Sequence, residues 1–161
     1  MSAPASLPRR LRRALQRVLH LYWRLSRGLT LGVRAVVIDP QGRVFLIRHT
    51  YVRGWQLPGG GVEAGETIMQ ALARELKEEG NIELTGSPVL HGVFFNRHVS
   101  RRDHVALFVV RAFRQPGPPV PNHEIAAHGF FAPDQLPADT TAGTRTRIGE
   151  VVRGAAKDEL W

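Results

Sequence analysis

The chain contains no cysteine. That excludes a disulfide framework and a thiol nucleophile, and makes the cytoplasm the default expectation. No run approaches the roughly 18 apolar residues of a membrane span. Nothing repeats internally, and the histidines form no zinc pattern. Acids are missing from the first 38 residues: the first is Asp39, whereas that stretch carries eight arginines. Beyond Ile38, 14 basic residues face 14 acidic ones, so the net charge of +8 belongs to the N-terminal segment. A length of 161 residues suits one domain with a proper core.

That basic segment has a pattern. Between Leu7 and Leu29, Leu11, Leu15, Val18, Tyr22 and Leu25 recur at three- and four-residue steps. Arg9, Arg10, Arg12, Arg13, Arg17, Arg24 and Arg27 fill much of the rest. The spacing predicts a basic amphipathic helix over residues 1–29, ahead of a domain over residues 30–161. Arginines interrupt any signal-peptide core, and no small-residue cleavage site follows. The segment is also similar in composition to a mitochondrial presequence, but its close junction with the next strand argues against removal. Three roles stay open: packing on its own domain or on a second copy in a homodimer, weak contact with an anionic membrane, and nucleic-acid binding, which ranks last.

The most informative stretch is Gly60 to Ile82, a glycine-rich loop running into a helix. Thr67 suits the N-cap and Gln70 completes a capping box. Gly80 and Asn81 end the helix, because both tolerate left-handed geometry. Glu75, Glu78 and Glu79 crowd its last turns, where the helix dipole disfavours negative charge. Glu75 and Glu79 repel each other at i, i+4. At roughly 100° per residue, Ile68, Ala71, Leu72 and Leu76 form the apolar stripe. Glu75 and Glu79 fall within it, and Glu78 lies beside its Ala71 edge. A solvated acidic face is one reading. The geometry favours the other, in which buried carboxylates are neutralised by pairing or by a hard divalent cation such as Mg²⁺.

This stretch resembles the signature box of the Nudix hydrolases, G-x5-E-x7-R-E-U-x-E-E-x-G-U, with U a bulky aliphatic residue. Gly60, Glu66, Arg74, Glu75, Leu76, Glu78, Glu79 and Ile82 match, and Asn81 replaces the final glycine. The resemblance implies an α/β fold, an α/β/α sandwich with a mixed β-sheet. It also implies hydrolysis of a diphosphate linkage in a nucleoside diphosphate joined to another group, or in a nucleoside triphosphate. The cofactor it implies is Mg²⁺ or Mn²⁺, held by Glu78, Glu79 and the carbonyl of Gly59. By the same likeness Glu75 orients or deprotonates water, Arg74 pairs with a box carboxylate, and Glu124 supplies a further ligand or the base. The alternative is a non-catalytic nucleotide-binding or regulatory member docked through the N-terminal helix. Such members usually lose box glutamates, and none is lost here.

The rest of the chain reads as strands and one more helix. Leu31 to Ile38 and Val44 to Arg48 flank Asp39-Pro40-Gln41-Gly42, a hairpin signal. Trp55 is expected in the core rather than stacked on a ligand. His49, Tyr51 and Arg53 are candidates for the substrate rim, with plain surface loop as the other reading. Neither His49 nor His91 is placed by any motif beside the carboxylates. Pro88 to Asn96 and His104 to Phe113 read as a second strand pair. Arg97, Arg101 and Arg102 lie in their connection, as phosphate contacts or as a charged hairpin tip. Gly129 to Phe131 reads as a short strand. From Thr140 a helix is expected with Ile148, Val151, Val152 and Ala155 on one face, and Leu160 and Trp161 as an anchor. The partner expected is a nucleotide or nucleotide derivative. Phe95 to Ser100 carries neither subgroup marker of the resembled family, so the substrate stays open.

Overall fold

The computed structural model of the chain describes residues 16, 18–23, 26, 28–119 and 123–161. The first strand, β1 (Thr30–Val37), pairs in parallel with the central β6 (Asp103–Val110), and β5 (Val89–Phe95) flanks β6 antiparallel. The period-two alternation of β1 sorts side chains to two faces. Val33, Ala35 and Val37 pack with Ala71, Leu72 and Leu76 of α1 (Ile68–Gly80). Val36 and Ile38 pack on the other side with Ile148 of α2 (Ala142–Arg153). Mixed sheet between two helices is the α/β/α sandwich that the resemblance implied. Each fully buried leucine or valine in these layers contributes about 1.5–3 kcal/mol.

A second sheet runs β3 (Trp55–Gln56), β2 (Val44–His49), β8 (Ile125–Phe131), all antiparallel. A short antiparallel pair joins β4 (Glu83–Leu84) to β7 (Phe113–Arg114). The expected hairpin between β1 and β2 is corrected here. Asp39 does hold the turn, accepting from the backbone N–H groups of Gln41 and Arg43 at 3.0 and 2.8 Å. Beyond one bridge, Ile38 to Val44, the two strands part into different sheets. Each finds its ladder partners far along the chain, β6 for one and β8 for the other, and a local turn signal carries no information on that choice.

α1 begins and ends where its local chemistry directs. The Thr67 hydroxyl accepts from the Gln70 N–H at 3.2 Å, and Gln70 Oε1 accepts from the Thr67 N–H at 2.9 Å. Asn81 sits in the left-handed region at φ 49°, a conformation open to asparagine as well as glycine. Three other expectations need adjustment. β8 is longer than its last three residues. α2 stops at Arg153 on a left-handed Gly154, so Ala155 lies outside it, exposed. In the N-terminal segment residues 18–23 are helical, but Val18 and Tyr22 are 63 and 62 % exposed. Burial of the apolar stripe on its own domain does not hold at these positions. Leu11, Leu15, Leu25 and the seven arginines of that stripe's polar side lie outside the described residues. No described helix is long and apolar enough to cross a membrane.

Candidate active site

The loop from Pro58 to Val62 lies along β1, bonded through the Ala35 N–H to Pro58 O (3.0 Å), the Val33 N–H to Gly60 O (2.8 Å) and the Val62 N–H to Leu31 O (2.8 Å). Two glycines make that approach feasible. At Gly59, with φ 136°, a Cβ would stand 2.1 Å from the carbonyl oxygen of Val33. At Gly60 a Cβ would meet the Glu75 carboxylate at 2.3 Å. The loop is therefore clamped between β1 and the acidic turns of α1.

Arg74 organises the outer carboxylates. Its guanidinium donates to both oxygens of Glu66, at 3.0 and 3.1 Å, to Glu75 at 2.6 Å and to the carbonyl of Gly61 at 3.1 Å. Glu78 lies 3.6 Å away with its side chain 59 % exposed. The bonds from Arg74 hold the Glu66 carboxyl below its usual range.

Glu79 is the inner group. It is buried and accepts the backbone N–H of Gly59 at 2.7 Å. Burial pushes its pKa up to about 7, and Glu75 and Glu124 add to that, while the Gly59 bond and Arg34 oppose it. His49, at the end of β2, places Nε2 3.5 Å from Glu79 Oε1. No sequence motif placed His49 beside the box carboxylates; the fold does, and an irregularity in the β2–β8 register at Arg48/His49 accompanies the turn inward. Burial, then the charge of Arg34, lowers the His49 pKa. Arg34 itself is half-buried on β1 and donates to Leu57 O at 2.7 Å. Desolvation lowers its pKa against the pull of Glu79 and Glu75.

The NUDIX domain family matches residues 28–150. The chain belongs to the NUDIX family. An RNA pyrophosphohydrolase of Legionella pneumophila (strain Corby) is 42 % identical over 65 residues, a segment covering 37 % of this chain and 37 % of that protein. The match thus spans little more than a third of the length of that curated relative. A crystal structure of the MutT NUDIX hydrolase from Burkholderia pseudomallei superposes with a TM-score of 0.65 at 28 % identity, covering 77 % of this chain and 98 % of that one. A NUDIX hydrolase from Nitrosomonas europaea shares the fold at a TM-score of 0.65 and 20 % identity, covering 79 % and 90 %.

Two cavities adjoin the NUDIX box and share Val52 and Arg53 as lining. One, of about 800 Å³, is bordered by Gly60, Gly61, Arg34, Asn96, Asp103 and Trp161. The other, of about 580 Å³, is bordered by His49, Tyr51 and Arg53. Tyr51 is exposed and stacks at a tilt on His49, ring centres 5.1 Å apart. Glu124 is exposed beside β8, and its backbone carbonyl accepts from the Thr50 N–H at 2.8 Å. Arg97 is exposed on the β5–β6 connection, next to His98 and Val99 of the larger cavity's lining. Trp55 packs edge-on to Phe131 at 4.9 Å and belongs to the core layer under α2.

Among the described residues no three acidic or histidine side chains converge as a ready-made metal cage. The reason is local: Glu75 is drawn to Arg74, and Glu79 to the Gly59 N–H. The donor set nevertheless fits a hard divalent cation. Glu78 is exposed, Glu79 keeps Oε1, and the Gly59 carbonyl accepts from none of the described donors. Sequence reasoning missed Arg34, Asn96 and Asp103. For Arg34 a signal exists, an arginine interrupting the apolar run LGVRAVVI. Asn96 and Asp103 carry none.

Proposed function

We propose that this chain hydrolyses a diphosphate linkage in a nucleotide-derived substrate, with water as the nucleophile and a divalent cation, Mg²⁺ or Mn²⁺, at α1. The observation that carries this reading is Glu79, buried, bonded to the glycine loop and one turn from Glu75. A bound cation at Glu78, Glu79 and the Gly59 carbonyl would offset the substrate's negative charge and position the water. Glu75 would accept the water's proton, and its bond from Arg74, at 2.6 Å, would keep that carboxylate aimed. Glu124 and His49 stand at the edge of the same cluster, Glu124 as a further ligand or base. Arg53, Tyr51 and His49 border the space for the two halves of the substrate, and Arg97 stands next to it, beside His98 and Val99. In this reading residues 30–161 form the hydrolase and residues 1–29 a separate basic helix.

Glu79→Gln tests it. The amide oxygen still accepts from Gly59, and the change relieves repulsion with Glu75, so folding survives. Losing one such electrostatic contribution costs on the order of 10²–10³ in rate. Near-wild-type turnover would refute the assignment. The screen takes ADP-ribose, dinucleoside polyphosphates, nucleotide sugars, oxidised nucleoside triphosphates and RNA with a 5′ polyphosphate, each with Mg²⁺ and with Mn²⁺. In ¹⁸O-labelled water, label in a single product phosphate supports direct attack; a trapped phospho-enzyme overturns it.

A further inference from the structure

The segment after α2 is held more firmly than a surface tail requires. Glu150, its side chain fully buried, pairs with Arg147 at 3.0 Å and His91 at 3.1 Å, and accepts the Asp158 N–H at 3.1 Å. Arg147 donates onward to the Asp158 carbonyl at 3.3 Å and lies 4.0 Å above the Phe94 ring. The Lys157 ammonium donates to His91 O at 2.8 Å. The chain then runs beside β5, with the Phe95 N–H bonded to Glu159 O (2.9 Å) and the Trp161 N–H to Phe95 O (3.1 Å). Burying such ions costs desolvation that their attraction only roughly repays, so their yield is position. What they position is Trp161.

The Trp161 indole stands edge-on to Phe94, ring centres 6.0 Å apart. It lies against Gly143 so closely that a Cβ there would meet Nε1 at 3.1 Å. Among the described residues none accepts from the indole N–H. The ring borders the cavity of about 800 Å³, whose other apolar lining includes Leu31, Val52 and Val99. One wall of the cavity, at Asn96 and Asp103, offers acceptors. Asn96 Nδ2 donates to Asp103 Oδ2 at 2.8 Å and the Thr30 hydroxyl to Asp103 Oδ1 at 2.7 Å, which leaves the Asn96 carbonyl oxygen without a described donor. This wall, with its carboxylate, suits a flat ring with an apolar face and N–H donors on its edge, while Arg34, Arg53 and the glycine loop border the same cavity.

We propose that this cavity is the nucleobase subsite, with Trp161 packing on the face of the base and Asn96 and Asp103 accepting from its edge. The inference rests on the nucleotide-derived substrate proposed above. A larger ring overlaps the indole more, so purines bind ahead of pyrimidines. Binding, not turnover, tests it: AMP, GMP, UMP and base-free ribose 5-phosphate are titrated against the full chain, following tryptophan fluorescence and calorimetry. Purine nucleotides quench the emission, and ribose 5-phosphate leaves it unchanged. Trp161→Phe removes the quench although Trp23 and Trp55 remain, and keeps most of the affinity. Trp161→Ala weakens purine binding on the order of ten- to a hundred-fold, with the melting curve of each variant as folding control. If the alanine variant fails to fold, the phenylalanine variant still decides. A quench that persists in Trp161→Phe, or purine binding by Trp161→Ala within two-fold of wild type, overturns the subsite. Because no turnover enters, loss of the proposed hydrolysis in Glu79→Gln and failure of this subsite are separate results.

Discussion

Gly59 and Gly60 are neighbours, yet replacing each by alanine should break different things. At Gly59 the added carbon meets backbone: the Val33 oxygen at 2.1 Å and the Arg34 Cα at 2.9 Å. Ordinary contact requires the loop to retreat from β1 by about an ångström or more. The retreat strains the bonds to Pro58 and Gly60, worth about 1 kcal/mol each. A φ of 136° adds about 1–3 kcal/mol for any L side chain. The sum, about 3–5 kcal/mol, lowers the melting temperature by roughly 10 °C in a chain of this length. At Gly60 the obstacle is the far end of the Glu75 side chain, at 2.3–2.7 Å, which yields by rotation. Stability then changes by less than about 1 kcal/mol, whereas Glu75 leaves its place. Misplacing a reacting group by about an ångström costs on the order of a hundred-fold in rate. Calorimetric melting beside turnover of the diphosphate substrate measures both. Wild-type turnover by Gly60→Ala, or a Gly59→Ala melting temperature within about 2 °C of wild type, would refute the reasoning.

Arg74→Lys removes the planar fork that spans Glu66, Glu75 and the Gly61 carbonyl. Turnover should fall about ten- to a hundred-fold by loss of orientation, with substrate KM little changed; an equal rise in KM would place Arg74 on the substrate instead. Glu150→Ala leaves Arg147, 1 % exposed, without its counter-ion. That should cost about 3–5 kcal/mol in denaturant unfolding, and the Arg147→Met/Glu150→Leu pair should recover most of it. A double variant as unstable as the single one would show that the ions themselves, not their imbalance, hold the fold.

What could be read from the sequence was what local chemistry decides. Thr67, Gln70 and Asn81 delimit α1 because each acts on backbone within four residues. Glu75 and Glu79 were separable from a solvated face because helical spacing alone puts them in line with Leu72 and Leu76. Pairing across the chain was not readable. The turn at Asp39 forms as its residues dictate, but β1 finds β6 about 70 positions away. His49 was legible as a polar residue near the site, not as a neighbour of Glu79, since that proximity needs the packing of β2 beneath α1. Arg147 and Glu150 carry no sequence signal of their burial. Only the descent of residues 155–161 over them makes that face interior.

β1 serves both layers at once. Odd positions from Val33 to Val37 seat α1 and with it the carboxylates, while Arg34 turns to the cavity and Val36 to α2. A single residue inserted within Val33–Val37 would exchange these roles wholesale, driving a guanidinium into the layer under α1 and moving Val33 or Ala35 to the cavity. The same insertion two residues later, in the Asp39–Gly42 turn, would only lengthen a loop between strands that have already parted. Tolerance to added length should therefore drop abruptly across a few positions, tracing the outline of the site along the chain.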